Sequence, residues 1–400
     1  MSDASEGFDH SAAASLTAVE PVARASALGP SIRAAADVIE RTRRIPEPLL
    51  TDLHASGLLR LFLPKVYGGG EVHPCAYLAA VLEVARHDAS VGWNMFVANS
   101  SALIAPHVPP ETASEIFSDP RALIAWGPPN ACRARSVSGG YRVSGRWDFA
   151  SGCRQATWMG VHAHVEEPDG SLRLNKAGRP TVRSLLFPAD GATLLDTWNP
   201  IGLRGTASDS YTVDDLFVTE ARSGTRETPE ARNLPGKLFA FTMQGLYAVG
   251  VAGVGLGIAR EMLAEFVTLA AAKVPRGQVR LADQGLVQAE VAHAEARLAS
   301  AAAYLEAMLS EIYARADEWS AIGTEDRARV RLACANAIQG AIEVADTVYK
   351  LAGVSAIFPG SPFERRFRDI HTLSQQIQSR SSHFEAAGRI LLGADDANFL

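Results

Sequence analysis

Three places along the chain hold side chains whose chemistry reaches beyond packing. His371 and His383 flank Gln376, roughly one helical turn before it and two after. Imidazole titrates near neutrality, so either ring can move a proton; either is equally an ordinary histidine on a helix surface. Ser151 ends a run in which Tyr141, Val143, Trp147 and Phe149 alternate with Arg142, Ser144, Arg146 and Asp148. Period two marks a strand and puts the Ser151 hydroxyl on one face with Trp147 and Phe149. A serine before Gly152 is also a common turn residue. Lys273 and Arg276 carry charge suited to phosphate, although basic residues ahead of a helix are often simply solvated.

Other patterns carry less. Glu290-Val-Ala-His293 fits one half-site of a di-iron bundle, but such a site needs a second copy and two more glutamates, and the sequence has no second copy. His162 and His164 would share one strand face without an evident third metal ligand. Gly250 to Gly257 is rich in glycine but lacks the G-x-G-x-x-G spacing after a strand, so close helix packing explains it better than a nucleotide loop. The four cysteines have no C-x-x-C pair, which argues against structural zinc and a disulfide framework and fits a reducing compartment.

The elements that position these residues change type twice. Residues 1–20 read as a frayed start rich in Ala and Ser. Residues 21–120 read as helical, with helices after Pro46 and Pro48, from Pro74 to His87 and from near Ser90, and a turn at Leu63-Pro-Lys-Val-Tyr-Gly-Gly-Gly70. Residues 121–232 read as short strands between Gly, Pro and Asp turns, the spacing of a small barrel or sandwich. Residues 233–400 return to helix, with Leu298, Ala302, Leu305 and Leu309 and then Ile338, Ile342, Ala345 and Val348 at helical spacing, as in a bundle. A net charge of −6 and a pI near 6 argue against a nucleic-acid footprint. No run approaches 18 apolar residues, so no membrane span is expected. Met1 to Ala14 lacks the pattern of a secretory leader, which leaves the cytoplasm as the expectation.

Four segments, in order, resemble the acyl-CoA dehydrogenase superfamily. Ile45-Pro-Glu-Pro…Leu53…Gly57-Leu-Leu-Arg-Leu-Phe-Leu-Pro64…Tyr67-Gly-Gly is similar to that family's helix-to-loop passage. Gly145-Arg-Trp-Asp-Phe-Ala-Ser-Gly152 resembles the strand that runs past the flavin ring. Trp198…Gly202-Leu-Arg-Gly-Thr-Ala-Ser-Asp-Ser210 resembles the next turn, and Gly353…Pro362-Phe-Glu-Arg-Arg-Phe-Arg-Asp369 the last-helix signature. The resemblance implies an α+β multidomain fold: an N-terminal helical domain, a central β-barrel and a C-terminal four-helix bundle. It also implies a homotetramer built through that bundle.

The resemblance implies roles as well. Ser151 would hydrogen-bond a flavin near N5. Trp126, ahead of two loop-stiffening prolines, and Phe149 would lie beside the cofactor. Lys273, Arg276 and the Ala352-Gly353 turn would meet its phosphate and adenine end, often in a neighbouring subunit. Tyr349 replaces the glutamine common there, leaving FAD and FMN both open. Ile377 stands where dehydrogenases carry their carboxylate base, and no Asp or Glu occurs between Asp369 and Glu385. That departure moves the expected reaction to the branch resembling two-component flavin monooxygenases. In that branch a histidine is typical where Gln376 stands here. His371 is then the expected acid–base residue with Gln376 as its neighbour, and Trp93, Asn94 and Asn99 the expected substrate wall, although a core role suits Trp93 equally. The expected activity is oxygenation of a small aromatic or heteroatom-bearing substrate by reduced flavin and O2, with a separate flavin reductase, since no NAD(P)H-binding segment is visible. An acyl-CoA-dehydrogenase-type oxidoreductase with another base, and a non-catalytic ligand-binding relative, are the alternatives.

Overall fold

The computed structural model describes residues 21–175, 178–225 and 231–394; the expected frayed start at 1–20 lies outside them. Five helices come first: α1 (Pro21–Thr42), α2 (Leu49–Ala55), α3 (Pro74–His87), α4 (Ala89–Ala102) and α5 (Pro110–Phe117). The α3 start is set by Pro74 in the first turn and by His73, whose Nδ1 accepts the Cys75 N–H at 3.1 Å. It stops at Asp88, which caps α4 by accepting the Val91 N–H at 3.0 Å. One aspartate thus ends one helix and starts the next. Every residue of α4 is buried, so this helix is the central post of the N-terminal half.

Eight strands follow: β1 (Ile124–Trp126), β2 (Arg133–Val137), β3 (Gly140–Ala150), β4 (Trp158–Glu166), β5 (Val182–Pro188), β6 (Thr193–Leu195), β7 (Asp209–Thr219) and β8 (Ser223–Gly224). Their order is β6-β7-β3-β2-β4-β5-β8, with β1 joined in parallel to β4. The expected barrel is not observed: β6 and β8 end the path without pairing to each other. At three and two residues these end strands are too short to carry a closing ladder.

Three long helices, α6 (Met243–Ala272), α7 (Gly285–Arg315) and α8 (Thr324–Ala352), then pack with the shorter α9 (Pro362–Leu373) and α10 (Ser382–Leu391). The expected bundle of four is therefore three long members and two short ones. By length and composition α6 could cross a membrane, but it is buried inside the protein. Its small residues let neighbouring backbones approach: a Cβ at Gly257 would lie 2.5 Å from the Leu82 carbonyl oxygen of α3. The glycine-rich segment serves packing, as its lack of nucleotide-loop spacing suggests.

Gly257→Ala should accordingly cost about 1–3 kcal/mol, because backbone cannot yield as a side chain can. Gly388→Ala, in α10 with nothing within 4 Å of the added methyl, should instead stabilise by roughly 0.5–1 kcal/mol. Urea unfolding midpoints of the two variants check both signs.

Candidate active site

The β3 strand does not keep its alternation to the end. A register shift lies between Trp147 and Ala150, and Phe149 sits at φ 62°. This bulge buries Trp147 and turns Phe149 outward, 63% exposed, so the shared face expected for Trp147, Phe149 and Ser151 is not formed. Ser151 is buried beyond the bulge. Its Oγ receives the Trp93 Nε1–H at 3.1 Å and lies 2.7 Å from the Ser208 Oγ. The hydroxyl therefore ties the chain just after β3 to the buried helix α4 and to Ser208.

Ser208 belongs to a loop, residues 201–208, clamped from three sides. Asp369 of α9 accepts the Leu203 N–H at 2.5 Å. From α4, Ser90 Oγ accepts the Gly205 N–H at 3.2 Å and Asn94 Nδ2 donates to the Gly205 carbonyl at 3.0 Å. From α1, Glu40 pairs with Arg204 at 3.6 Å. The approach is close: a Cβ on Gly202 would lie 2.1 Å from the Arg368 carbonyl oxygen. Leu203 and Ala207 both hold left-handed backbone, φ 50° and 46°, a conformation that L-residues keep only where surroundings enforce it. Thr206 and Ser208 were within the motif that resembles the family's turn, but their function is visible only once the loop is folded.

An aromatic row continues from Trp93. Its ring meets Phe96 edge-on at 4.7 Å, and Phe96 meets Tyr247 at 4.9 Å. Gln376 lies beside the Tyr247 phenol, whose pKa burial drives upward. The Gln376 Oε1 accepts the Gln378 N–H at 2.6 Å, which leaves its NH2 as the group facing Tyr247. Phe96 and Tyr247 carried no chemical signal in the sequence.

The remaining expected residues fall into three groups. Asn94 is in the site, and its Oδ1 is buried with no hydrogen-bond partner among the described residues. Asn99 holds backbone instead: Nδ2 donates to Leu58 and Met95, each at 2.8 Å, and Oδ1 accepts the Phe62 N–H at 3.0 Å. Trp126 packs edge-on to His162 at 4.9 Å, next to β4. His371 turns to α8, its Nε2 donating to Asp346 at 3.0 Å, and His383 donates to the Ile377 carbonyl at 2.8 Å. Lys273 reaches the turn after α8, donating to Ala352 O at 2.7 Å and Ser355 Oγ at 2.9 Å, so Lys273, Ala352 and Gly353 form one cluster with Arg276 exposed nearby. At 1.5 Å per residue, Tyr247 and Lys273 stand roughly 40 Å apart along α6.

The residues at Ser151 fit a flavin. A planar heteroaromatic needs an apolar face and a few placed polar atoms. Phe149 and Trp93 supply aromatic surface, and Ser151 and the unpartnered Asn94 oxygen supply polar atoms. A separate groove of about 1130 Å3 between α7 and α8, lined by Glu290, His293, Arg297, Asn336, Gln339 and Glu343, contains none of them. No group of three metal-ligating side chains occurs among the described residues.

Comparison with known proteins shows the family. The family model for the acyl-CoA dehydrogenase N-terminal domain matches residues 26–108, and that for the C-terminal domain residues 249–380. The chain is 30% identical to the indole-3-acetate monooxygenase of Pseudomonas putida over 96% of both chains. It is 26% identical to the FADH(2)-dependent resorcinol hydroxylase, oxygenase component, of Rhizobium sp. over 93% of both. The solved structure of XiaF from Streptomyces sp., in complex with FADH2 and glycerol, is similar at TM-score 0.87 and 25% identity, over 96% of this chain and 98% of that one. Fold and relatives together define a flavoprotein with acyl-CoA-dehydrogenase-like architecture. The chain belongs to the flavin-dependent monooxygenase branch of that superfamily.

The clamp has a pH signature. Burial, and next the nearby Asp88, push the Asp369 carboxyl up to about 7, while the Leu203 N–H pulls the other way. A carboxyl whose folded pKa exceeds its unfolded value of 3.8 favours folding below that value and loses this contribution as pH rises through 7. Asp369→Asn keeps an acceptor for Leu203 but cannot ionise. From about pH 5 to about pH 8 the wild type should lose on the order of 1–3 kcal/mol relative to this variant. Parallel urea titrations read the slope of that difference.

Proposed function

We propose that this protein is the oxygenase component of a two-component flavin monooxygenase acting on a small aromatic substrate. The observation that carries this reading is the meeting of the Ser151 hydroxyl with the row Trp93, Phe96, Tyr247 and with Gln376. Flat apolar walls with one oriented amide suit an arene better than a flexible acyl chain. Among relatives, the Pseudomonas putida protein is named for indole-3-acetate and the Rhizobium protein for resorcinol. A dehydrogenase would need a base for the α-proton, and residues 370–384 contain no carboxylate.

Reduced flavin, FAD or FMN, would supply oxygen activation and the transferred oxygen atom. The chain's own part is positional. Ser151 would hold the flavin ring near N5, Phe149 would cover its exposed side, and α4 would keep water away from the aromatic row. Gln376 does not titrate, so it orients the substrate and takes no proton from it. This favours electron-rich arenes such as indoles, which need no deprotonation. His371 is committed to Asp346, which supports a structural role for it.

Tyr247 and Lys273, roughly 40 Å apart along α6, mark two separate ends of that helix, which supports a homotetramer in which each Lys273–Gly353 cluster serves a neighbour's flavin phosphate. A separate reductase would deliver reduced flavin, in keeping with the term "oxygenase component" in the resorcinol hydroxylase's name. The four cysteines are free, which suits the cytoplasm.

The test mixes the protein with pre-reduced FMN or FAD, oxygen and a panel of indoles and phenols, and analyses products by mass. Hydroxylated arene is expected, indoles ahead of phenols; flavin oxidation with no product from any arene contradicts the reading. Gln376→Ala should lower turnover about tenfold, the value of one oriented hydrogen bond. His371→Asn should stay within about twofold of wild type, as at other sites on the protein surface.

A further inference from the structure

The hydroxyls behind Ser151 form a chain of hydrogen bonds whose direction is fixed at both ends. At one end the Trp93 indole N–H, which can only donate, points at Ser151 Oγ at 3.1 Å. At the other end Thr206 Oγ1 donates to the Leu203 carbonyl at 2.9 Å, a group that can only accept. Between them, Ser151 and Ser208 are 2.7 Å apart, as are Ser208 and Thr206. All three hydroxyls are buried, so water does not compete for their hydrogens.

A hydroxyl has one hydrogen. Thr206 spends its hydrogen on Leu203, so Ser208 must donate to Thr206. Ser151 must then donate to Ser208. With its hydrogen spent and one lone pair filled by Trp93, Ser151 has a single valence left, and that valence is an acceptor.

We infer that Ser208 and Thr206 are positioning residues that hold Ser151 as a hydrogen-bond acceptor, so that the site selects reduced over oxidised flavin. The inference rests on the proposed function, which puts flavin N5 at Ser151. Reduced flavin carries a hydrogen on N5 and can donate it to Ser151. Oxidised flavin presents a lone pair there, and two acceptors facing each other form no bond. To serve oxidised flavin, Ser151 must leave Ser208, or Thr206 must leave Leu203 and reverse the chain. Each route loses one buried hydrogen bond. The selection fits a protein that receives flavin already reduced.

The clamp on the loop belongs to the same device. The Leu203 peptide gives its N–H to Asp369, and its carbonyl takes the Trp198 Nε1–H at 3.0 Å and the Thr206 N–H at 3.2 Å besides the Thr206 hydroxyl, which holds the accepting end in place.

The test compares dissociation constants of oxidised FMN and of anaerobically reduced FMN for the full-length wild type, Ser208→Ala and Thr206→Val. The wild type should bind reduced FMN more tightly. Each variant frees the Ser151 hydrogen, so its preference for the reduced form should fall about tenfold, mostly through tighter binding of oxidised FMN. The two-electron midpoint potential of bound FMN should fall by about 30 mV, the equivalent of that factor. A merely structural role would weaken both redox forms alike and leave the ratio unchanged. If the wild type prefers reduced FMN and neither variant moves the ratio, the inference is overturned while the proposed function stands. If the wild type prefers oxidised FMN, the inference also falls. If the wild type binds neither form of FMN nor either form of FAD, inference and proposed function fall together.

Discussion

The site depends on one buried hydrogen bond, from the Leu203 N–H to the Asp369 carboxylate. It ties the loop between β6 and β7 to α9, across an interval where Gly202 touches backbone and Leu203 and Ala207 hold left-handed conformations. Such a loop has a conformational cost that its surroundings must offset. Asp369 offsets part of it, and Ser90 and Asn94 of α4 hold the middle. Released from this clamp, Thr206 and Ser208 would lose their place behind Ser151. The sheet's hydroxyl and the helical half's indole meet because this loop is fixed between them.

The clamp also explains why three kinds of architecture are combined. The sheet contributes a bulged strand end, which separates exposed Phe149 from buried Ser151. The N-terminal helices contribute α4, capped by Asp88 and buried along its whole length. The C-terminal helices contribute α6, which brings Tyr247, and α9 with the turn after it, which bring Asp369 and Gln376. No one of these layers holds a complete site. Burial pushes the Asp88 carboxyl up to about 6, and burial followed by the nearby Asp88 pushes Asp369 up to about 7. The structure trades stability for a fixed loop.

Much of this was legible in the sequence, for identifiable reasons. The α3 helix is read to the residue because proline starts it and an aspartate cap follows it. The strands of the middle section are legible from period-two alternation, and Ser151 from its place at the end of one of them. The open sheet was not legible, because the lengths of β6 and β8 depend on tertiary pairing and not on local pattern. The bulge at Phe149 was not legible either, since alternation continues through it in the sequence while the backbone does not. His371 and Gln376 stand five positions apart, yet one faces α8 and the other Tyr247; only the end of α9 after Leu373 separates them. Tyr247 and Phe96 were hidden because an aromatic in a buried helix looks the same whether it fills a core or lines a chamber.

The most direct measurement of the central claim is a crystal structure of the full chain grown anaerobically with reduced FMN. The account predicts the flavin ring against Phe149, with its N5 edge within hydrogen-bond distance of Ser151 Oγ and open to the row formed by Trp93, Phe96 and Tyr247. A flavin bound elsewhere, as in the groove between α7 and α8, with Ser151 untouched, would contradict it.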